Sequence, residues 1–371
     1  MSRPDLLPEP TTTATSQDAS WTVVHDFAFD VGGAERVTAA LATEVLDDAP
    51  VMTLGGEQGL LDDLGIDDVT IAYPRLFRRG SYRRASLLLP ALLRTAAPVQ
   101  GNVLASSYAF SHHVRATGRK VVYCHSPLRQ AWSGEQMYLD RLPRATHRAA
   151  RLPLRALRAS DRRAADTATD YVANSTVVAK RLERFYGIEA AAVAYPPPHE
   201  AFTRGPDERG GHYFWAGRIV EPYKKLTPVI EAFRHLDREL VVAGDGRDAA
   251  RLRATAPPNV TFIGAVGTER LAAEYRRARA LLFPSEDDFG LVPVEAMSCG
   301  TPVIALGRGG ATETVLDGTS GVLFDESDPA TITAAVRRFE SLDLDEDAVE
   351  AQGRRFGREQ FVRTVRQVLA A

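Results

Sequence analysis

Cysteines, which cross-link many proteins, and long apolar runs, which hold others in membranes, are scarce or absent in this sequence of 371 residues. It has only two cysteines, Cys124 and Cys299, which lie far apart along the chain. That spacing excludes a disulfide framework and a cysteine-based zinc site. No run of 18 apolar residues occurs, so a membrane-spanning helix is not expected. The first twenty residues lack the apolar stretch of a secretory signal.

The sequence also lacks two motifs that would indicate other chemistry. Neither half opens with the Gly-x-Gly-x-x-Gly turn that binds dinucleotides. No Asp-x-Asp pair stands between a predicted strand and a predicted helix, where it could hold a metal ion. The adjacent acids Asp287 and Asp288 are a different pattern.

Basic residues are concentrated in one part of the chain. The net charge is −3, yet residues 75–163 contain 18 Lys and Arg against three Asp and Glu. This basic block indicates a face for an anionic partner. It is either a solvated helix face or a surface for anionic lipid or a lipid-diphosphate acceptor. No nucleic-acid motif accompanies it, so no nucleic-acid partner is expected.

Seven arginines of the basic block recur at alternating spacings of three and four, which places them on one face of a helix. Two prolines, Pro143 and Pro153, predict that this stretch forms two helices rather than one. The arginines are Arg141, Arg144, Arg148, Arg151, Arg155, Arg158 and Arg162.

Short apolar runs alternate with helical patterns along most of the chain, which predicts parallel sheets with crossover helices. The predicted strands are 21–27, 102–107, 120–126, 170–175, 212–217, 239–244, 260–265, 280–285, 302–306 and 321–324. Three successive prolines at 196–198 predict a stiff connector between two α/β domains.

The predicted domains follow from these patterns. Residues 1–20, rich in Pro, Thr and Ser, form a disordered tail. Residues 21–197 form an N-terminal domain and 198–350 a C-terminal domain. Residues 351–371 form a C-terminal helix that could cross back to the N-terminal domain.

The most informative segment is 285–324, which follows a predicted buried strand. Two carboxylates, Asp287 and Glu295, flank the loop 289–291, and a helix is predicted to start at Pro293. Helix N-termini and glycine-rich turns present free N–H groups, which suit phosphate and sugar oxygens. A carboxylate there can accept hydrogen bonds from paired hydroxyls, as on a ribose.

This segment resembles the signature of retaining family-4 glycosyltransferases of the GT-B architecture. That signature has two glutamates, separated by seven residues, around Phe-Gly-Leu. Here the second glutamate is Glu295, and Asp287 stands at the first position with one methylene fewer. The resemblance implies that Glu295 holds the nucleotide ribose and that Asp287 contacts hydroxyls of the transferred sugar. The backbone amides of Phe289, Gly290 and Leu291 would contact its ring and phosphate.

Residues 217–233 resemble the Arg/Lys segment of the same family. The resemblance implies that Arg218 and Lys224 clamp the donor diphosphate, where fixed cations stabilise the charge that develops on the leaving group. Lys225 is adjacent, so the sequence leaves open which lysine reaches the phosphate.

Residues 29–37 resemble the first strand-to-helix loop of the family. The resemblance implies that Gly32 and Gly33 let the backbone approach the donor phosphate and sugar.

Residues 121–132 and the preceding 106–114 resemble the bacterial O-antigen mannosyltransferase branch, which is associated with GDP-mannose. His125 matches the histidine that family members place over the sugar on the acceptor side. The neighbouring His112 and His113 are predicted to lie on a helix or loop surface. The implied mechanism is a retaining, front-face transfer with no divalent metal, in which the leaving diphosphate helps to deprotonate the acceptor hydroxyl.

The resemblance as a whole implies an α/β protein of the GT-B class, with two doubly wound, Rossmann-like domains facing each other across a cleft. The N-terminal domain would bind the acceptor and the C-terminal domain the nucleotide sugar. The implied catalytic residues are His125, Asp287, Arg218 and Lys224.

The favoured function is therefore that of a hexosyltransferase, with mannose from GDP-mannose as the first donor and a sugar or lipid-linked glycan as the acceptor. A UDP-sugar donor is the alternative within the class. A dinucleotide-binding oxidoreductase or epimerase, or a non-catalytic sugar-nucleotide binder, is the alternative outside it. No cofactor is expected. The expected role is in polysaccharide biosynthesis for the cell envelope, in the cytoplasm or peripherally on the inner face of the membrane.

Overall fold

The structure is a computed structural model that describes residues 20–79, 88–135, 143 and 147–371. These residues divide into two compact units. The first contains the described residues up to Ala194 together with Val362–Ala371, and the second is Tyr195–Phe361. The chain thus passes between units just before the three prolines. The predicted tail lies outside the described residues except for Ser20.

The first unit contains a sheet of seven parallel strands in the order β3-β2-β1-β4-β5-β6-β7. Its central strands are apolar and buried on both faces, as expected of a parallel sheet covered by helices. The strands are β1 Trp21–Ala28, β2 Val51–Gly56, β3 Val69–Ile71, β4 Asn102–Ser107, β5 Lys120–Cys124, β6 Asp170–Ala173 and β7 Ala192–Val193.

The second unit contains a sheet of six parallel strands in the order β10-β9-β8-β11-β12-β13. All six were predicted, to within two residues at each end. The strands are β8 Tyr213–Ala216, β9 Leu240–Ala243, β10 Val260–Gly264, β11 Ala280–Phe283, β12 Val303–Leu306 and β13 Gly321–Phe324.

Helices connect these strands in both units. In the first unit they are α1 Gly33–Ala40, α2 Leu89–Thr95, α3 His147–Ala165 and α4 Thr176–Tyr186. Between residues 226 and 370 the helices are α5 Leu226–Phe233, α6 Ala249–Thr255, α7 Thr268–Arg277, α8 Leu291–Ser298, α9 Ala311–Thr314, α10 Pro329–Glu340, α11 Glu346–Arg354 and α12 Arg358–Ala370.

The C-terminal segment consists of two helices, α11 and α12, rather than the one predicted over 351–371. Most of α12 belongs to the first unit. Arg366 of α12 donates hydrogen bonds to the carbonyls of Glu44 and Val45 and to the carboxylate of Asp47. These contacts attach the end of the chain to residues 44–47, just after α1.

The prediction that Pro153 separates two helices is wrong, because α3 continues through it. A proline removes one backbone donor from a helix interior. Pro153 is solvent-exposed, so its ring lies on the open side of the helix. Three of the seven arginines predicted on this face, Arg141, Arg144 and Arg148, have side chains outside the described part.

Strand order reverses beside β1 in the first sheet and beside β8 in the second. The loops that follow β1 and β4, or β8 and β11, therefore leave toward opposite faces and open a crevice at the carboxyl ends of the strands. Ligands of doubly wound sheets bind at such a switch point. The candidate residues are traced from these four loops below.

A buried carboxylate fixes one of these loops. Asp26 of β1 is fully buried. Its oxygens accept hydrogen bonds from four successive backbone N–H groups, those of residues 108–111, at 2.5–2.9 Å. Bonds to an ionised acceptor are the stronger kind, and together they offset the cost of burying the charge. The loop after β4 is thereby held against β1.

Candidate functional site

The switch point of the second sheet holds an ion pair between two of the predicted site residues. Lys224 follows β8 and Asp287 follows β11, and the Lys224 ammonium lies 2.5 Å from a carboxylate oxygen of Asp287. The side chains are 16% and 18% exposed. The pair is thus mostly shielded from water yet open at one side, which strengthens its electrostatics.

The two adjacent lysines point to different partners. Lys225 has a positive φ of 49° at the N-cap of α5, and its ammonium lies 3.4 Å from the Ser327 hydroxyl. Of the two lysines, Lys224 is the one whose ammonium lies beside Asp287. Glu221 accepts a hydrogen bond from the Leu226 amide at 2.7 Å and so caps the same helix.

Close backbone contacts beside the loops that carry Lys224 and Asp287 require glycine. A Cβ on Gly244, in the loop after β9, would lie 1.9 Å from the carbonyl oxygen of Gly217, and one on Gly310 would lie 2.0 Å from that of Phe289. Real Cβ contacts are never so short. The neighbouring loops therefore buttress the segments that carry Lys224 and Asp287.

The loop 289–291 provides a backbone surface rather than a side-chain one. Phe289 is 3% exposed and packs its ring against Tyr195 and Phe356. Gly290 has φ 84° and caps α8, which begins at Leu291, two residues before the predicted start at Pro293. Glycine can adopt this conformation without strain, and the first amides of α8 follow from it.

Two further predicted residues differ in their surroundings. Arg218, just after β8, is exposed and forms no hydrogen bond or ion pair with any described residue. Glu295 in α8 is 7% exposed, and one of its carboxylate oxygens accepts a hydrogen bond from the Tyr275 hydroxyl at 3.1 Å. Burial and the nearby Glu295 carboxylate raise the Tyr275 pKa well above its usual value. The tyrosine therefore remains a donor.

His125 directly follows β5, one strand beyond the switch point of the first sheet, and its ring reaches back to β4. Its ring Nε2 is 2.8 Å from the Ser106 hydroxyl, and its carbonyl accepts a hydrogen bond from the Asn174 side chain at 3.0 Å. Burial, with a smaller effect from His25, lowers the His125 pKa to about 3. His125 is therefore neutral at physiological pH and acts through hydrogen bonds rather than charge.

The predicted glycine loop of the first domain precedes α1. Gly33 is exposed, and Gly32 is the N-cap of the helix. The Gly32 amide donates to a carboxylate oxygen of Glu35 at 2.9 Å, and a Cβ on Gly32 would lie 3.0 Å from that oxygen. The other carboxylate oxygen of Glu35 lies 3.4 Å from Nε2 of His25.

The sequence interpretation missed the polar residues behind His125. These are His25, Glu35, Thr38 and Ser106, all buried. A histidine in the middle of the apolar run 21–27 was the available signal. Its partners could not be read from the sequence, because Ser106 meets His25 only through the pairing of β1 with β4.

His112 and His113 are buried, so the prediction of a surface position was wrong. Both Nε2 atoms lie 3.1 Å from one oxygen of Asp161. Its other oxygen accepts hydrogen bonds from Trp132 and Tyr186, at 2.7 Å each. Within the described residues, the group whose residue types and spacing could hold a metal ion consists of His112, His113 and Asp161. His113, Trp132 and Tyr186 hydrogen-bond the buried Asp161 carboxylate, which gives the cluster a structural role, whereas Nε2 of His112 lies near it without a hydrogen bond.

Comparison with known proteins supports the fold that the sequence resemblance implied. Residues 211–341 match the sequence profile of a family described as "Glycosyl transferases group 1". The structure of Anabaena Alr3699/HepE in complex with UDP is similar to this one, with a TM-score of 0.70 at 18% sequence identity, over 94% of this chain and 99% of that one. The fold is GT-B. Sucrose-phosphate synthase from Thermosynechococcus elongatus shares it, with a TM-score of 0.64 at 17% identity over 95% and 99% of the two chains.

Curated relatives match only part of the GT-B chain. The D-inositol 3-phosphate glycosyltransferase of Acidothermus cellulolyticus is 31% identical over 200 residues, which cover 45% of this chain and 44% of that protein. The protein of the same name from Geodermatophilus obscurus is 48% identical over 77 residues, covering 20% and 17%. The chain thus spans less than half the length of these relatives.

The neutral His125 generates a prediction about pH. Its pKa is about 3 in the folded protein and about 6.5 when unfolded, so the unfolded state binds a proton that the folded state excludes. The unfolding free energy should therefore fall as the pH decreases below about 6.5, by up to about 2 kcal/mol at pH 5 for this group. Urea unfolding at pH 5, 6 and 7 measures the slope, and His125→Asn should make it shallower.

The matched comparison is His235→Asn, which makes the same change at an exposed histidine of the second unit. An identical slope in wild type and His125→Asn would show that His125 does not exclude a proton in the folded state.

Proposed function

We propose that this protein is a retaining glycosyltransferase that transfers a hexose from a nucleoside diphosphate sugar. The observation that carries the proposal is the shielded Lys224–Asp287 ion pair at the switch point of the second sheet, within the segment that matches the glycosyl transferase profile. A cation and a carboxylate at one point suit a ligand that carries a diphosphate beside sugar hydroxyls.

Each charge of the pair has a separate task in this proposal. Lys224 binds the donor diphosphate and stabilises the charge that develops on it as the glycosidic bond breaks. Asp287 accepts hydrogen bonds from hydroxyls of the transferred sugar. Arg218, exposed beside them, adds a second cation to the diphosphate. The donor therefore replaces the contact that each member of the pair makes with the other.

The remaining roles follow from the resemblance and from the surroundings of each residue. Glu295 holds the nucleotide ribose, with its carboxylate oriented by Tyr275. The amides of residues 289–291 and the glycines at 32 and 33 contact the donor through backbone, and Lys225 contributes to its binding. His125, neutral and hydrogen-bonded, contacts the sugar on the acceptor side. The reaction needs no divalent metal, since the leaving diphosphate helps to deprotonate the acceptor hydroxyl.

Two donors are proposed in order. Mannose from GDP-mannose is the first, because segment 121–132 resembles the O-antigen mannosyltransferase branch. A UDP-sugar is the second, and it is supported by the structures of HepE with UDP and with UDP-glucose. The acceptor is a sugar or a lipid-linked glycan, with an inositol phosphate as the alternative that the names of the relatives support.

Thermal unfolding with GDP, GDP-mannose, UDP, UDP-glucose and NAD at equal concentration tests the proposal. A nucleotide at 100 times its dissociation constant should stabilise the fold by about 2.7 kcal/mol. Lys224→Gln should weaken binding of that nucleotide roughly 10- to 100-fold, since it removes a hydrogen bond to a charged group. Titration calorimetry measures the change.

The neighbouring variant Lys225→Gln is the matched comparison, because it removes the same charge one residue away. We expect a smaller loss from it, since Lys225 faces Ser327 rather than Asp287. Stabilisation by NAD alone would contradict a glycosyltransferase, and equal losses in the two variants would contradict the role of the ion pair.

We also propose that α3 contacts an anionic membrane. Leu152 is 70% exposed and lies between Arg151 and Arg155 on the solvent side of the helix. Neither arginine forms an ion pair with a described residue, whereas Arg158 and Arg162 pack over the Trp132 ring. An exposed apolar residue between basic ones suits the surface of an anionic bilayer. No helix in the described ranges has the length and apolar character needed to cross one.

Sedimentation with phosphatidylglycerol vesicles tests this contact. Each basic residue near an anionic surface contributes about 1 kcal/mol, so reversing both charges, in Arg151→Glu with Arg155→Glu, should weaken binding by tenfold or more. The control Arg337→Glu changes an exposed arginine of the second domain and should bind like wild type. Equal binding to uncharged phosphatidylcholine vesicles would contradict the proposal.

A further inference from the structure

A continuous chain of buried polar side chains leads from the first helix of the protein to His125. We call it the histidine relay. In order, its members are Glu35, His25, Thr38, Ser106 and His125. The four contacts that join them measure 3.4, 2.9, 2.8 and 2.8 Å along this order. All five residues belong to the first unit.

The fold brings these residues together from three separate elements. His25 in β1 is the ladder partner of Ser106 in β4, and α1 lies against both strands and carries Glu35 and Thr38. His25, Thr38 and Ser106 are 0% exposed. Buried polar groups of this kind must satisfy one another, because water cannot.

The partners allow one continuous direction of hydrogen bonds along the relay when His25 is neutral. An ionised Glu35 can only accept, so His25 donates to it from Nε2. Nδ1 of a neutral His25 is then an acceptor. It lies 2.9 Å from the Thr38 hydroxyl, which can donate to it, and 3.2 Å from the Ser106 carbonyl oxygen, which cannot. In this direction the Thr38 proton goes to His25 and not to the Ala34 carbonyl, 2.8 Å away. Thr38 in turn accepts from Ser106, whose single proton is thereby used.

The last contact of the relay, between Ser106 and His125, decides which nitrogen of His125 carries the proton. Ser106 has given its proton to Thr38, so it accepts from Nε2–H of His125. A neutral imidazole has one proton, and His125 is neutral because burial lowers its pKa to about 3. Its Nδ1 therefore carries no proton. That atom forms no hydrogen bond with a residue in the described part of the chain.

We propose that the histidine relay is a positioning device that holds the proton of His125 on Nε2 and leaves Nδ1 to accept a hydrogen bond from a hydroxyl of the bound sugar. The use of Nδ1 rests on the proposed function, whereas the direction of the relay does not. The relay also reaches the glycine loop, because Glu35 accepts from the Gly32 amide at 2.9 Å. The same carboxylate thus orders both the loop and the ring.

The Glu35→Gln variant tests the direction with almost no change in shape. The amide oxygen of glutamine can still accept from the Gly32 amide, while its NH₂ donates to Nε2 of His25. The His25 proton should then move to Nδ1 and donate to Thr38, whose hydroxyl has the Ala34 carbonyl within 2.8 Å as another acceptor. Ser106 no longer has to donate to Thr38 and becomes available to donate to His125.

The measurement is a multiple-bond ¹H–¹⁵N correlation spectrum of protein labelled with ¹⁵N-histidine, because it distinguishes the Nδ1–H and Nε2–H tautomers. The single variants His25→Asn and His125→Asn assign the two rings. In the wild type, both should be neutral with the proton on Nε2. In Glu35→Gln, His25 should change to the Nδ1–H form, and His125 should populate it.

The rate of sugar transfer is the second measurement that tests the relay. In Glu35→Gln the kcat for sugar transfer should fall roughly tenfold, the effect of one lost hydrogen bond in the transition state, with little change in the donor KM. Thr38→Val, which removes the central hydroxyl, should lower kcat similarly. Thr43→Val is its control, because it removes a threonine hydroxyl outside the relay, one that donates to the Ala39 carbonyl.

Three results would overturn the proposal: His125 with its proton on Nδ1 in the wild type, His25 as an imidazolium, or unchanged tautomers in Glu35→Gln. If Glu35→Gln fails to fold, Thr38→Val gives the same reading, since it should release the His125 tautomer. A protein that transfers sugar from none of the donors would fail the proposed function, yet its histidine tautomers would still decide the direction of the relay.

Discussion

The reversal of strand order within each sheet is the constraint on which the candidate site depends. All described strand pairs are parallel, so the carboxyl ends of a sheet's strands lie at one edge. Only beside β1 and β8 do adjacent loops diverge and leave room for a ligand. The chain places the glycine loop at the first of these points, with His125 one strand away and bonded to Ser106 of β4, and Lys224 with Asp287 at the second. Position along the sheet, rather than position in sequence, selects these residues.

The two switch points have different electrostatic character. The second holds a charged pair, Lys224 and Asp287, which compensate each other at 2.5 Å. The first presents the neutral ring of His125, which burial keeps unprotonated, while the one carboxylate of the relay, Glu35, faces His25 and the Gly32 amide. A charged pair suits a diphosphate, and neutral groups suit hydroxyls. This division agrees with the proposed binding of the donor and the acceptor by different domains.

Local patterns sufficed for most of the second sheet, because its short apolar runs are bounded by glycine and proline. They failed where contacts between distant segments decide the structure. The strands β2, β3 and β7 were not predicted, although β2 is buried throughout its first five residues. His112 and His113 look like surface residues until Asp161 of α3 is brought beside them. The relay depends likewise on the register of β1 with β4, which no local pattern specifies.

A crystal structure of the protein with GDP-mannose, or with the nucleotide sugar that stabilises it most, would test the central claim directly. The account predicts the diphosphate at Lys224 and Arg218, with the Lys224–Asp287 contact opened and Asp287 bound to sugar hydroxyls. Density for the nucleotide away from the carboxyl ends of β8 and β11, with the ion pair still at 2.5 Å, would contradict it.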